Sequence, residues 1–212
     1  NDTPVEVQSP VPYEGAHRTP LQLARRMSID VRGEFMDRDE IALVQDDTEN
    51  IDVLLDDWLQ EDGHRSQLID IFSSMLLTKV DEFNVTEADF YLSEDQAYDF
   101  IRSIGEESPR LMAYIAMSND PWTDVVQADY TMGNSILSQI WNLEAIDEVP
   151  VDANTWVRVR YTDGRPPLGV VATNGIWWRY YTTPNNKSRA RAAFLTRLLV
   201  CDDILSKAVT SP

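Results

Sequence analysis

Four pairs of neighbouring acids, Asp46/Asp47, Asp56/Asp57, Glu61/Asp62 and Glu106/Glu107, come nearest to a catalytic set in this chain. Two carboxyls can cleave a glycosidic bond, but only when they face each other across a cleft at a defined separation. Acids adjacent in sequence point apart on a helix, so all four pairs read as solvated faces. Cys201 has Asp202 and Asp203 behind it. Those charges disfavour the thiolate a nucleophile needs, and the residue reads as a small buried hydrophobe. His17 and His64 are too far apart in sequence to make a metal-ligand spacing, and His64 in "EDGHRS" reads as a polar cap. "DDTENIDVLLDD" lacks the Asp-x-Asp-x-Asp-Gly pattern of a calcium loop. Weak surface binding of calcium stays open for so acidic a chain. Asp129, just before Tyr130 and a helical stretch, reads as an acid bonding backbone N–H groups.

The cations are distributed more tellingly. Residues 1–154 hold 33 Asp and Glu against 9 Lys and Arg, whereas residues 155–212 hold 3 against 9; together they give the net charge of -18. So acidic a body excludes non-specific nucleic-acid binding, which needs a positive face. The basic segment presents Arg158, Arg160, Arg165, Arg179, Lys187, Arg189, Arg191 and Arg197 beside the aromatic run Trp177, Trp178, Tyr180 and Tyr181. Planar guanidinium groups suit carboxylates, so these arginines are expected to dock onto the acidic helices. The rings are expected to pack the junction between a hairpin and a helix. If part of the set is free instead, Arg158, Arg160, Arg179, Lys187, Arg189 and Arg191 with Trp177 and Trp178 form the interaction surface.

Elements that would carry these groups follow from periodicity. Residues 1–16, with three prolines, read as an extended arm; residues 17–212 read as one helix-rich domain. "RTPLQLARRMSID" has Thr19 as N-cap, Pro20 at N1 and Gly33 as its end. "NIDVLLDDWLQEDG" and "HRSQLIDIFSSMLLTKVDEF" predict a helical hairpin, the second helix facing the core with Leu68, Ile71, Phe72, Met75 and Leu76. Ser93 opens a further helix, and Ser108–Pro109 signals another start. "TMGNSILSQIW" predicts one more helix. "TWVRVRY" alternates cleanly and, with "LGVVAT" after the turn "TDGRPP", predicts a hairpin. The closing helix is expected from about 187 to 209, with Ala193, Phe194, Leu198 and Leu199 inward. The fold class is therefore mainly α, a multi-helix orthogonal bundle with a small β-hairpin near residues 155–173. No run is apolar and long enough to span a bilayer.

Several stretches together resemble a family of exported planctomycete and myxobacterial domains of unknown function, commonly fused to c-type cytochrome modules. They are "LQLARRMSIDVRGEFMDRDEI", with Leu23, Arg25, Arg26, Ser28, Asp30 and Gly33, and "IDVLLDDWLQEDGHRSQLIDIF", with Trp58. They continue with "ADYTMGNSILSQIW", with Asp129, Tyr130, Thr131 and Asn134, and "LGVVATNGIWWRYYTTPNNKSRARAAFLTRLLVCDD". The pieces cover most of residues 19–205 in the family's order. The chain departs from the family in having no Cys-x-x-Cys-His, so no haem attachment is assigned and no cofactor is expected. In longer members that motif lies beyond the closing helix, which implies a fragment or a haemless branch.

The resemblance implies an exported protein, periplasmic or extracellular, that acts as a structural or protein-interaction module beside a c-type cytochrome. In that setting the arginines could meet an acidic partner or haem propionates, and a histidine could ligate a partner's haem. With no catalytic set complete, the reading leans away from an enzyme. The alternatives are a polysaccharide-acting enzyme using paired carboxylates and a surface or filament subunit. Sequons at Asn1, Asn84 and Asn186 matter only in a glycosylating setting.

Overall fold

A computed structural model describes residues 18–79, 90–118, 120–185 and 188–203. The extended arm, His17, Lys187, the three sequon asparagines and the closing helix past residue 203 lie outside the described residues. Helix α1 (Pro20–Arg32) begins on a capping box in which Thr19 and Gln22 exchange side chain-to-backbone bonds, and Gly33 ends it in the left-handed region. A second box, Asp37 with Glu40, opens α2 (Arg38–Asp46). These two helices and α3 (Asn50–Trp58) bury Ala24, Met36, Val44, Leu54 and Trp58 in one apolar cluster. Arg32 lies inside it, tied to Glu40 at 2.6 Å and Glu61 at 3.1 Å and lying over the Trp58 ring.

Helix α4 (Asp62–Leu76) packs on α1 and on α5 (Glu94–Met117), rather than closing a hairpin with α3. Its buried face is rotated from the expected one: Ile69, Phe72, Ser73 and Leu76 are inside, while Ile71 and Met75 are exposed. α5 is one continuous 24-residue helix, not the two that Ser108–Pro109 suggests. Pro109 has no N–H to give the carbonyl of Gly105, four residues earlier. The Thr78 hydroxyl, from the segment after α4, donates to that carbonyl at 2.7 Å instead. A neighbouring strand of chain thus supplies the bond the proline removes.

The short helix α6 (Asp124–Gln127), strand β1 (Thr131–Gly133), helix α7 (Ser135–Ile140) and strand β2 (Leu143–Ala145) follow, so "TMG" is a strand and the helix begins at Ser135. Asn134 caps α7 through Leu137 N and donates its amide to Ser103 Oγ and Ala153 O, both at 2.7 Å. β3 (Val157–Tyr161) is the expected alternating strand, with Val157 and Val159 buried. It lies between β1 and β2, antiparallel to both, with Val159 opposite Thr131 and Ala145.

The fold is therefore mainly α with a small antiparallel sheet, but β3's hairpin partner is β2 and not residues 168–173. Those residues form a 3-10 turn, η1 (Gly169–Ala172). Pro166 and Pro167 have no N–H for a ladder. Gly169 sits at φ 52, and a Cβ there would lie 2.1 Å from the Val125 carbonyl oxygen.

Helices α8 (Asn174–Arg179) and α9 (Arg189–Val200) complete the described chain. The end of α4 is closed from here: Tyr180 donates to Leu76 O and Arg179 to Leu77 O, each at 2.7 Å. Phe194 stacks on Tyr180 with ring centres 4.3 Å apart. Ala193 and Phe194 are buried, but Leu199 is half exposed. Cys201 is exposed too, because α9 stops at Val200 and Cys201 turns into the left-handed region at φ 54. The expectation of a buried cysteine is corrected accordingly.

Candidate functional site

The basic set is divided by the fold. Arg158 and Arg160 project from β3, while Arg179, Arg189 and Arg191 with Trp177 and Trp178 belong to α8 and α9. Trp178 is partly buried and packs against the core, edge-on to Trp141 at 5.4 Å and Phe100 at 5.9 Å. Trp177 is 39% exposed, with the Arg191 guanidinium 4.0 Å above its ring and bonded to its carbonyl. Burial lowers the Arg191 pKa. Arg189 is exposed at the start of α9.

Among the described residues, pairing with acids does occur, although not with the acidic helices. Arg160 meets Asp129 at 2.7 Å and Arg165 meets Asp163 at 2.6 Å. Asp129 is thus an ion-pair partner and not the backbone cap expected; Asp152 caps instead, accepting from Asn154 N and Thr155 N. His64 accords with the polar-cap reading, with Nδ1 2.8 Å from Val31 O at the end of α1.

Arg158 opens onto a groove of about 380 Å3 between α4, α5 and the sheet. Its Nε and Nη2 donate to the two carboxylate oxygens of Asp147 at 2.7 and 2.6 Å, and its guanidinium lies 5.7 Å from the centres of Tyr114 and Tyr130. The bonds to Asp147 raise the Arg158 pKa and lower that of Asp147. Two further cations line the same groove, both from the acidic part of the chain. Arg110 lies 4.5 Å over Trp156 and is held from behind by Glu106 at 2.7 Å. Arg65, half exposed, pairs with Asp62 on its own helix. Three arginines from α4, α5 and β3 therefore converge over aromatic walls. The i, i+4 spacing of Glu106 and Arg110 and the i, i+3 spacing of Asp62 and Arg65 announce those pairs in the sequence, but nothing local announces the groove.

Glu106 and Glu107 correct the expectation of solvated faces. Glu107 is fully buried. It accepts hydrogen bonds from the Tyr161 hydroxyl at 2.6 Å, the Thr131 hydroxyl at 3.0 Å and the Asn174 backbone N–H at 3.2 Å. Gly175 permits the last contact, since a Cβ there would sit 2.3 Å from Ile104 O and push α8 off α5. Burial drives the Glu107 carboxyl up to about 7, against the hydrogen bonds and the nearby Arg165 charge, which pull it down. Tyr161 is likewise raised well above its ordinary value, by burial first and then by Glu107. Arg165 stacks 3.6 Å over the Tyr161 ring and borders a second pocket of about 190 Å3 against residues 128–131 and 166–169. With no exposure of its own, Glu107 ties α5, β1, β3 and α8 together.

Fold and site thus define a mainly α domain bearing an arginine-lined groove. No family model, curated protein or solved structure matches the chain. Among the described residues no group of three or more His, Cys, Asp or Glu could hold a metal ion, and no helix is long and apolar enough to cross a membrane.

Proposed function

We propose that the chain is a structural or protein-interaction module whose docking face is the groove of Arg65, Arg110 and Arg158. The exported setting and the c-type cytochrome partner implied by the family resemblance belong to this proposal. One observation carries it: in a chain of net charge -18, three guanidiniums are gathered at one half-open groove and two of them are held over aromatic rings. Arginine and aromatic side chains on rigid elements are what interface hot spots are made of. A carboxylate-pair hydrolase draws no comparable support, because Glu106 is tied to Arg110 and Glu107 is sealed in the core.

Co-elution with a haem protein from envelope extract, read by haem absorbance, tests the reading. The haem signal is expected with the native chain and is expected to fall with Arg158→Ala. A haem signal unchanged by that substitution would remove the groove from the interaction, and no signal would remove the cytochrome partner.

A further inference from the structure

Asp147 stands where a partner's carboxylate would stand. It lies in the connection from β2 to β3, immediately after Ile146, whose backbone N–H still bonds Arg158 O at 3.0 Å. From there it engages Arg158 in the two-point fork by which a guanidinium takes a carboxylate. The pair is a surface one, its side chains 32% and 47% exposed. At that exposure both partners face solvent, and an exposed ion pair is worth up to about 1 kcal/mol. Val149 and Val151, further along this connection, are 76% and 81% exposed, while Pro150 between them is buried.

Among the described residues the other two cations pair with acids on their own helices, Arg110 with Glu106 and Arg65 with Asp62. Arg110 uses Nε and Nη2 for Glu106; among the described residues its Nη1 has no hydrogen-bond partner. Asp147 and Glu148 line the groove with the three cations, while Glu106 and Asp62 sit against Arg110 and Arg65, so displacing Asp147 leaves Arg158 as the lining cation with no acid paired to it. Acids more than about 8 Å from Arg158 are largely screened from it at physiological salt. Ile69, Met132, Val157 and the Trp156 ring make much of the wall apolar. A ligand with side chains fills such a space better than an inorganic anion, and the volume suits a few residues of chain.

Resting on the reading of this groove as a docking face, we propose that it receives a short acidic peptide segment of a partner protein, and that Asp147 is a built-in pseudo-ligand which the partner's carboxylate displaces from Arg158. The chain's own residues 146–151, Ile-Asp-Glu-Val-Pro-Val, serve as the probe, labelled with fluorescein and titrated with the full chain at physiological salt while anisotropy is read.

Native protein is expected to bind the probe, and Asp147→Asn to bind it roughly two- to fivefold tighter, the worth of one exposed ion pair. Arg65→Ala, which removes a half-exposed residue, is expected to weaken binding by a similar factor with thermal stability unchanged. A probe with Asn and Gln in place of its acids is expected not to bind. Equal or weaker binding by Asp147→Asn overturns the pseudo-ligand. Competition by inorganic phosphate at the probe's own concentration overturns the peptide in favour of a simple anion site. No binding by either form overturns the acidic-peptide assignment, while retained haem co-elution that depends on Arg158 would leave the docking face itself standing.

Discussion

Neutralising the buried carboxyl of Glu107 is the perturbation whose size the structure fixes best. Its pKa stands at about 7 in the folded chain against an ordinary 4.5. Between those values the native protein retains a proton that the unfolded chain has released. Stability from this group is therefore complete below pH 4.5, falls as pH rises and is lost by about pH 7. At about 1.4 kcal/mol per pH unit the loss amounts to about 3 kcal/mol. Glu107→Gln cannot titrate, so urea unfolding of both proteins from pH 5 to 8 isolates the effect. Any fixed cost of the swap, and the charge repulsion common to both chains, cancel in the difference of slopes. The other shifted acids among the described residues do not intrude: Asp147 and Asp163 are lowered by their arginines, Asp152 by its bonds from Thr155 and Asn154, and Glu40, pushed up by burial, ends lowered by Arg32 and Trp58. All four lose their contribution only as pH falls below the window. Tyr161→Phe removes a bond that pulls the carboxyl down, so the fall in stability should extend to higher pH. Equal slopes for the native chain and Glu107→Gln would refute the reasoning, showing that the carboxyl is ionised across the range or reached by water.

The remaining expectations concern the frame. Thr78→Val leaves the Gly105 carbonyl buried without a donor and should cost about 1–3 kcal/mol in urea unfolding. Adding Pro109→Ala restores a backbone N–H to that carbonyl, so the double variant should lose less than Thr78→Val alone. Arg32→Ala strands Glu40 in the first cluster and should cost about 3–5 kcal/mol by denaturant midpoint.

Features written in neighbouring residues were legible. Thr19, Pro20, Gly33 and Ser93 cap helices where the sequence places them, and β3 alternates as read, because each depends on bonds within a few residues. What depended on distant chain was not. Pro109 looks like a helix start until Thr78 is seen to complete the helix through it. "LGVVAT" looks like a strand until Gly169 is found against Val125. Glu107 looks solvated because an acid beside another acid gives no local sign of Tyr161, Thr131 and Asn174 closing over it. The groove was half legible: Arg158 stood out in the basic segment, but Arg65 and Arg110 were hidden in the acidic part. Only the packing of α4 and α5 against the sheet gathers the three.

The closure of α4 by Tyr180 and Arg179 has a consequence for timing. The bonds to Leu76 O and Leu77 O span 104 and 102 residues of chain. Made at about 5–20 residues per second, that length takes roughly 5 to 20 s to synthesise. Through that interval the last carbonyls of α4 face solvent, and the core still lacks Ile176, Tyr180 and Phe194. The nascent chain can build its first three helices early, on local caps and their own apolar cluster. The centre of the molecule is sealed only when the α8 segment arrives, so a chain stopped before Tyr180 would be left with an open-ended core helix.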